Sequence, residues 1–254
     1  MVVRPVHLPG NSSAFVWRFS QGLGQNGRQF HPFAIVGQYA VEPKGFVQHV
    51  ALLVAQCEVS SASQVSVWHM GPPLRVTDPG ASASVPAGEC RADLVIEIPL
   101  AADDRNAMLH WKSKVEKERR PSALFQQYVI DPPIVWIRSE TGRKLYRRFS
   151  CAGFVMSCYA SAGIFILNQE TDFPAASLAD VERAYPQLRR LLQMAPAAQA
   201  KLGFRDLADF GIPGDGPWQI VLAGYIFHSC HRLTAATHRL TPYSPISVKE
   251  AFYP

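Results

Sequence analysis

The stretch Phe149-Ser150-Cys151-Ala152-Gly153-Phe154-Val155-Met156-Ser157-Cys158-Tyr159-Ala160-Ser161-Ala162-Gly163 decides how the rest of the chain is read. Apolar or small residues recur at positions 151, 154, 155, 158, 159 and 162, the spacing of one buried helical face. Ser150 is placed to act as N-cap, because its hydroxyl can accept from an orphan backbone N–H. Gly163 suits a left-handed stop past the end. The pattern predicts one helix with Cys151 in its first turn, facing the core. The positive end of a helix lowers a thiol's pKa and favours the thiolate, which is the nucleophile. Cys158, two turns along the same face, reads as core, since a cysteine among apolar neighbours is most often a small buried hydrophobe.

Upstream, Phe46–Ala55 is an apolar run broken by Gln48 and His49. Its length and composition predict a strand buried on both faces. Val65–Met70 alternates and predicts a second strand, stopped by Gly71-Pro72-Pro73. An antiparallel hairpin with a long loop follows, and it can set His49 and His69 on one face, pointing at the start of the cysteine helix. A thiol hydrolase needs a sulfur nucleophile, a base within hydrogen-bond reach and a polar group that orients the base. Cys151, His49 and His69 supply these in turn. The N–H groups of the first helical turn would be available to an oxyanion.

These motifs resemble the circularly permuted branch of the NlpC-type papain-like cysteine peptidase and amidase superfamily, which includes the lecithin:retinol acyltransferase-like proteins. The resemblance rests on His49-Val50-Ala51-Leu52-Leu53-Val54, on Val67-Trp68-His69-Met70-Gly71-Pro72-Pro73 and on Ser150-Cys151-Ala152-Gly153-Phe154-Val155. The order His, His, Cys is that of the permuted branch. The match covers roughly residues 46–75 and 134–167. The loop between the histidines is longer than the short turn usual in the acyltransferase group, and the flanks 1–45 and 171–254 have no counterpart. The resemblance implies an α+β, permuted papain-like fold in which a small antiparallel sheet packs on the cysteine helix. It implies thiol-dependent cleavage of an amide bond in a peptide or cell-wall-type peptide, with Cys151, His49 and His69 catalytic and no cofactor or metal. The alternatives are lipid acyl transfer or thioester hydrolysis of the acyltransferase type, and an inactive interaction domain on the same fold.

The remaining sequence sets the context. A hydrophobic fraction of 48% and a charged fraction of 18% describe a globular chain, and 254 residues allow a sizeable core. A single domain is expected, with a core at about 33–170, an N-terminal extension 1–32 and a helical elaboration at 171–254. The net charge of +5 is mild and argues for no nucleic-acid partner. Five cysteines at irregular spacing fit neither a disulfide scaffold nor a zinc ribbon. No cleavable secretory signal is visible and the apolar runs are too short to span a bilayer. A soluble protein is expected, cytoplasmic or exported by a route that needs no cleaved signal.

Ala14–Phe19 predicts a short strand or turn, Phe33–Val41 and Leu94–Leu100 predict strands, and Asp103–Arg119 predicts a solvated helix. Ser122–Val129 predicts a short helix and Ile134–Arg138 a strand. Ser177–Met194 and Ala197–Phe210 predict helices, Trp218–Phe227 a strand, and Ser244–Phe252 a terminal strand or turn. Two rival motifs read as structural. Gly22–Gly27 resembles a phosphate-loop fragment but lacks the Lys-Ser/Thr that such a loop carries. His228, Cys230, His231 and His238 have zinc-ligand chemistry but no second cysteine pair.

Overall fold

The computed structural model describes residues 16–20, 29–40, 42–58, 64–70, 74–76, 89–119, 127–201, 204–232 and 241–253. Its strands in chain order are β1 (Val16–Phe19), β2 (Gln29–Phe30), β3 (Ile35–Tyr39), β4 (Val47–Leu53), β5 (Cys57–Glu58), β6 (Gln64–Val65), β7 (Val67–Met70), β8 (Leu74–Val76), β9 (Glu89–Ala92) and β10 (Leu94–Ile96). Then come helix α1 (Ala102–Glu116), the hairpin β11 (Ile134–Arg138) and β12 (Lys144–Phe149), and the cysteine helix α2 (Cys151–Ala160). The C-terminal part holds β13 (Ala175–Ala176), α3 (Leu178–Ala184), α4 (Pro186–Leu192), α5 (Pro196–Lys201), β14 (Trp218–Gln219) and α6 (Ala223–Arg232), with 3-10 turns at Leu207–Phe210 and Val248–Ala251.

The central sheet has five antiparallel strands in the order β10-β3-β4-β7-β8. The fold is therefore of the α+β class, with a small antiparallel sheet packed on the cysteine helix and extra helices C-terminal to it. Strand alternation divides the core. Val50, Leu52, Trp68 and Met70 point to the side covered by α2 and α6. Ala51, Leu53, Val67 and Val36 point the other way, against Phe19, Val65 and Ala92 of a second sheet ordered β6-β1-β9. The central strands are thus buried on both faces, which is why Phe46–Ala55 reads as a nearly continuous apolar run.

An aromatic cluster fixes α2 to this sheet. The Trp68 ring lies 4.4 Å from Phe154 and 5.5 Å from Trp111 of α1, and Phe154 lies 5.6 Å from Phe149. Offset and edge-on aromatic pairs of this kind add about 0.5–1.5 kcal/mol each beyond the area they bury. Gly153 allows the close approach on the other side. A Cβ there would lie 1.9 Å from the Pro133 carbonyl oxygen, so only glycine lets the first turn of α2 reach the start of β11.

Several expectations need correction. Of the strand expected over Trp218–Phe227 only Trp218–Gln219 is extended, and the buried helix α6 begins at Ala223. A short apolar run carries no period that separates a buried strand from a buried helix. The stretch 177–194 is two helices broken at Tyr185-Pro186, and 197–210 is a helix followed by a 3-10 turn. Most of the helix expected over 122–129 lies outside the described residues, and Tyr128 at its end forms a β-bridge to Phe149. Gly22–Gly27 also lies outside them. Among the described residues no helix is long and apolar enough to cross a membrane.

Candidate active site

The cysteine helix starts as its sequence suggests. Ser150 is the N-cap, its hydroxyl accepting from the Gly153 N–H at 2.9 Å, while its own N–H donates to the Pro133 carbonyl at 3.0 Å. Gly163 is left-handed at φ 73°, two residues beyond the C-cap Ser161. Cys151 occupies the first helical position and is only 1% exposed.

The Val50 N–H of β4, the Tyr128 hydroxyl and the N–H groups of Ala152 and of Cys151 itself stand near its sulfur as donors that favour its ionisation. The Val50 N–H lies on the same edge of β4 as the Val54 N–H, which donates to Ser66 beside β7. The β4–β7 ladder runs only over Leu52–Trp68 and Leu53–Val67. The Val50 N–H therefore faces the place where the two strands part, on the edge of β4 that β7 leaves open.

His49 precedes Val50 in β4. Its Nε2 lies 3.1 Å from His69 Nδ1 on β7, with the rings edge to face. Hairpin pairing thus places both imidazoles on one face. Alternation makes this the face away from the body of α2, because Trp68 and Met70 on either side of His69 belong to the α2-side core. This corrects the expectation that the two rings point at the start of the cysteine helix: they lie on the sheet face that Ala51, Leu53 and Val67 share.

Burial governs the electrostatics. His49 is partly accessible at its surface, yet packed closely enough that desolvation pulls its imidazole down to about 4. It is neutral at pH 7 and able to accept a proton. Burial also pushes the Cys151 thiol up, against the opposing pull of the Val50 N–H and the Tyr128 hydroxyl. This corrects the expectation of a thiol lowered by the helix terminus. The sulfur is almost wholly desolvated, and the helix-end donors only partly offset that cost. At neutral pH Cys151 is therefore a thiol and His49 a neutral imidazole. Cys158 is fully buried and its thiol is pushed up further.

Tyr128 is a site residue that the sequence reading missed. Its hydroxyl oxygen accepts from the Cys151 N–H at 3.3 Å, and the hydroxyl is also a donor near the sulfur. Burial, then the nearby Cys151 and Tyr185, hold its own ionisation well above the ordinary range. No local motif marks it, since its place depends on a bridge to Phe149 twenty-one residues away.

The rival histidine cluster is structural where it is described. His228 Nε2 contacts the Phe252 carbonyl at 2.7 Å, His231 Nδ1 meets the Tyr253 hydroxyl at 3.2 Å, and Cys230 is buried. His238 lies outside the described residues. Among the described residues no group of three or more His, Cys, Asp or Glu side chains could hold a metal ion. Compared with protein-family models, curated proteins and solved structures, the chain matches none.

Proposed function

We propose that the chain is a thiol-dependent hydrolase of amide bonds, of the permuted papain-like kind that its motifs resemble. One observation carries this reading: the strand that brings the His49–His69 pair together also supplies its next amide, the Val50 N–H, as a donor that favours ionisation of Cys151. His69 holds the His49 ring through Nε2. Nδ1, the ring nitrogen nearer the backbone, is then the one through which His49 would act on the thiol.

In the proposed reaction the Cys151 proton passes to His49 as the sulfur attacks the substrate carbonyl. The Cys151 N–H and the Tyr128 hydroxyl receive the developing oxyanion, the hydroxyl turning its hydrogen from the sulfur to the oxyanion. The C–N bond breaks as the amine takes the proton from His49, leaving an acyl-thioester. Water, deprotonated by His49, then releases the acid and restores the thiol. Because Cys151 is 1% exposed, substrate has to displace part of the cover around Tyr128 to reach it.

A second reading, an inactive interaction domain, draws on that same burial and on the raised thiol. The two separate in an assay of the full chain on a peptide-amide library with mass-spectrometric detection. The hydrolase reading requires cleavage that is abolished by Cys151→Ala. Lipid acyl transfer would appear instead as an acyl-thioester that a phospholipid donor forms and a peptide does not.

A further inference from the structure

A shallow groove of about 440 Å³ runs between the end of α1 and the turn of the β11–β12 hairpin. Lys114, Lys117 and Arg119 line one wall, and Arg143 and Lys144 line the other. All five are exposed, and among the described residues none is in an ion pair. The one carboxylate on the groove, Glu118, is engaged by Arg147, whose guanidinium lies 2.5 Å away and whose backbone N–H donates to it at 2.9 Å. The helix dipole accounts for cations at the end of α1. It does not account for Arg143 and Lys144, which converge on the same groove from another element.

Apolar groups stand beside these charges. Leu145 lines the groove and is 45% exposed, and Trp136, 36% exposed, carries the Lys144 ammonium 5.0 Å from its ring centre. We propose that this groove and its rim are a docking surface for an anionic membrane. The cations receive lipid phosphate and carboxylate groups, while Leu145 and the edge of Trp136 enter the interfacial layer, where Trp is favoured. A single-stranded nucleic acid would also meet the charge, but it needs an open aromatic face for base stacking. Lys144 and the Arg147 guanidinium, 4.9 Å away, already lie over the Trp136 ring. The surface is distinct from the cysteine site: the six residues of β12 put it about 20 Å from Cys151. It does not depend on Cys151 being a nucleophile.

The test is co-sedimentation of the full chain with vesicles of phosphatidylcholine alone or mixed with phosphatidylserine. The expected result is binding to the anionic vesicles only, weakening as salt is raised. The double variant Lys117→Gln/Lys144→Gln should lose roughly thirtyfold in affinity with an unchanged melting temperature. Leu145→Ser should weaken binding while leaving its salt dependence in place. A second double variant, Lys114→Gln/Arg143→Gln, leaves the Lys144–Trp136 contact intact and should show a similar loss. Equal binding to neutral vesicles, no binding to either, or wild-type affinity in both double variants would overturn the proposal. So would an oligonucleotide that binds more tightly than the anionic vesicles at the same salt and is lost in the same variants.

Discussion

His49 Nε2 and His69 Nδ1 lie 3.1 Å apart on adjacent strands of the central sheet. A hydrogen bond between two imidazoles fixes a tautomer, because one nitrogen must donate and the other accept. If His69 orients His49, its replacement should act on turnover more than on substrate binding. His69→Ala is expected to lower kcat by about a hundredfold with little change in KM. His69→Asn, which keeps a polar partner in reach, should retain part of that loss. Equal losses in the two variants would assign His69 a packing role instead.

The depressed His49 imidazole makes stability depend on pH. The folded value of about 4 lies below the ordinary 6.5. Between these values the unfolded chain takes up a proton that the folded chain resists. Stability is therefore full above about pH 6.5 and falls as the pH drops toward 4, by about 3 kcal/mol in all. Urea unfolding midpoints across this window should show the slope in the wild type and a shallower one in His49→Gln.

Tyr128 both covers the Cys151 amide and helps the sulfur ionise. Tyr128→Phe removes the hydroxyl and leaves the ring in place. The Cys151 thiol should then titrate at higher pH, seen as an upward shift in the pH midpoint of its alkylation rate. Turnover should fall if the hydroxyl serves the oxyanion. An unchanged midpoint would remove Tyr128 from the site.

Gly153 is expected to tolerate no side chain. Its added Cβ would meet backbone, the Pro133 carbonyl, at 1.9 Å, with no flexible group to give way. Gly153→Ala should destabilise by roughly 2–3 kcal/mol or more, measured by thermal melting. The shift would also move the Cys151 turn, so activity should fall along with stability.

The cysteine helix and its histidine strands are legible in sequence because their signals are local. A 3.6-residue apolar period, Ser150 at the N-cap and a glycine past the end mark α2, and alternation marks Val67–Met70. The Tyr128 contact is not local. It arises where β12 meets an irregular segment, which has neither a period nor a turn signature. Pro186 is as compatible with a helix start as with a helix end, and the apolar Leu188 and Leu191 beyond it continue the spacing of Val181 and Ala184, so the two helices read as one. The run 220–227 lacked any period that could show which side was out, since its residues are buried throughout.

The most direct test of the proposed chemistry is site-resolved alkylation of the folded chain by iodoacetamide at neutral pH. Mass spectrometry would follow Cys151 and Cys158 separately in the wild type and in His49→Ala. Both thiols are buried and raised, so burial alone predicts that both react slowly. An activated nucleophile predicts that Cys151 reacts faster than Cys158 and that His49→Ala removes the difference. Equal rates at Cys151 and Cys158, unchanged by His49→Ala, would contradict the pairing of Cys151 with His49.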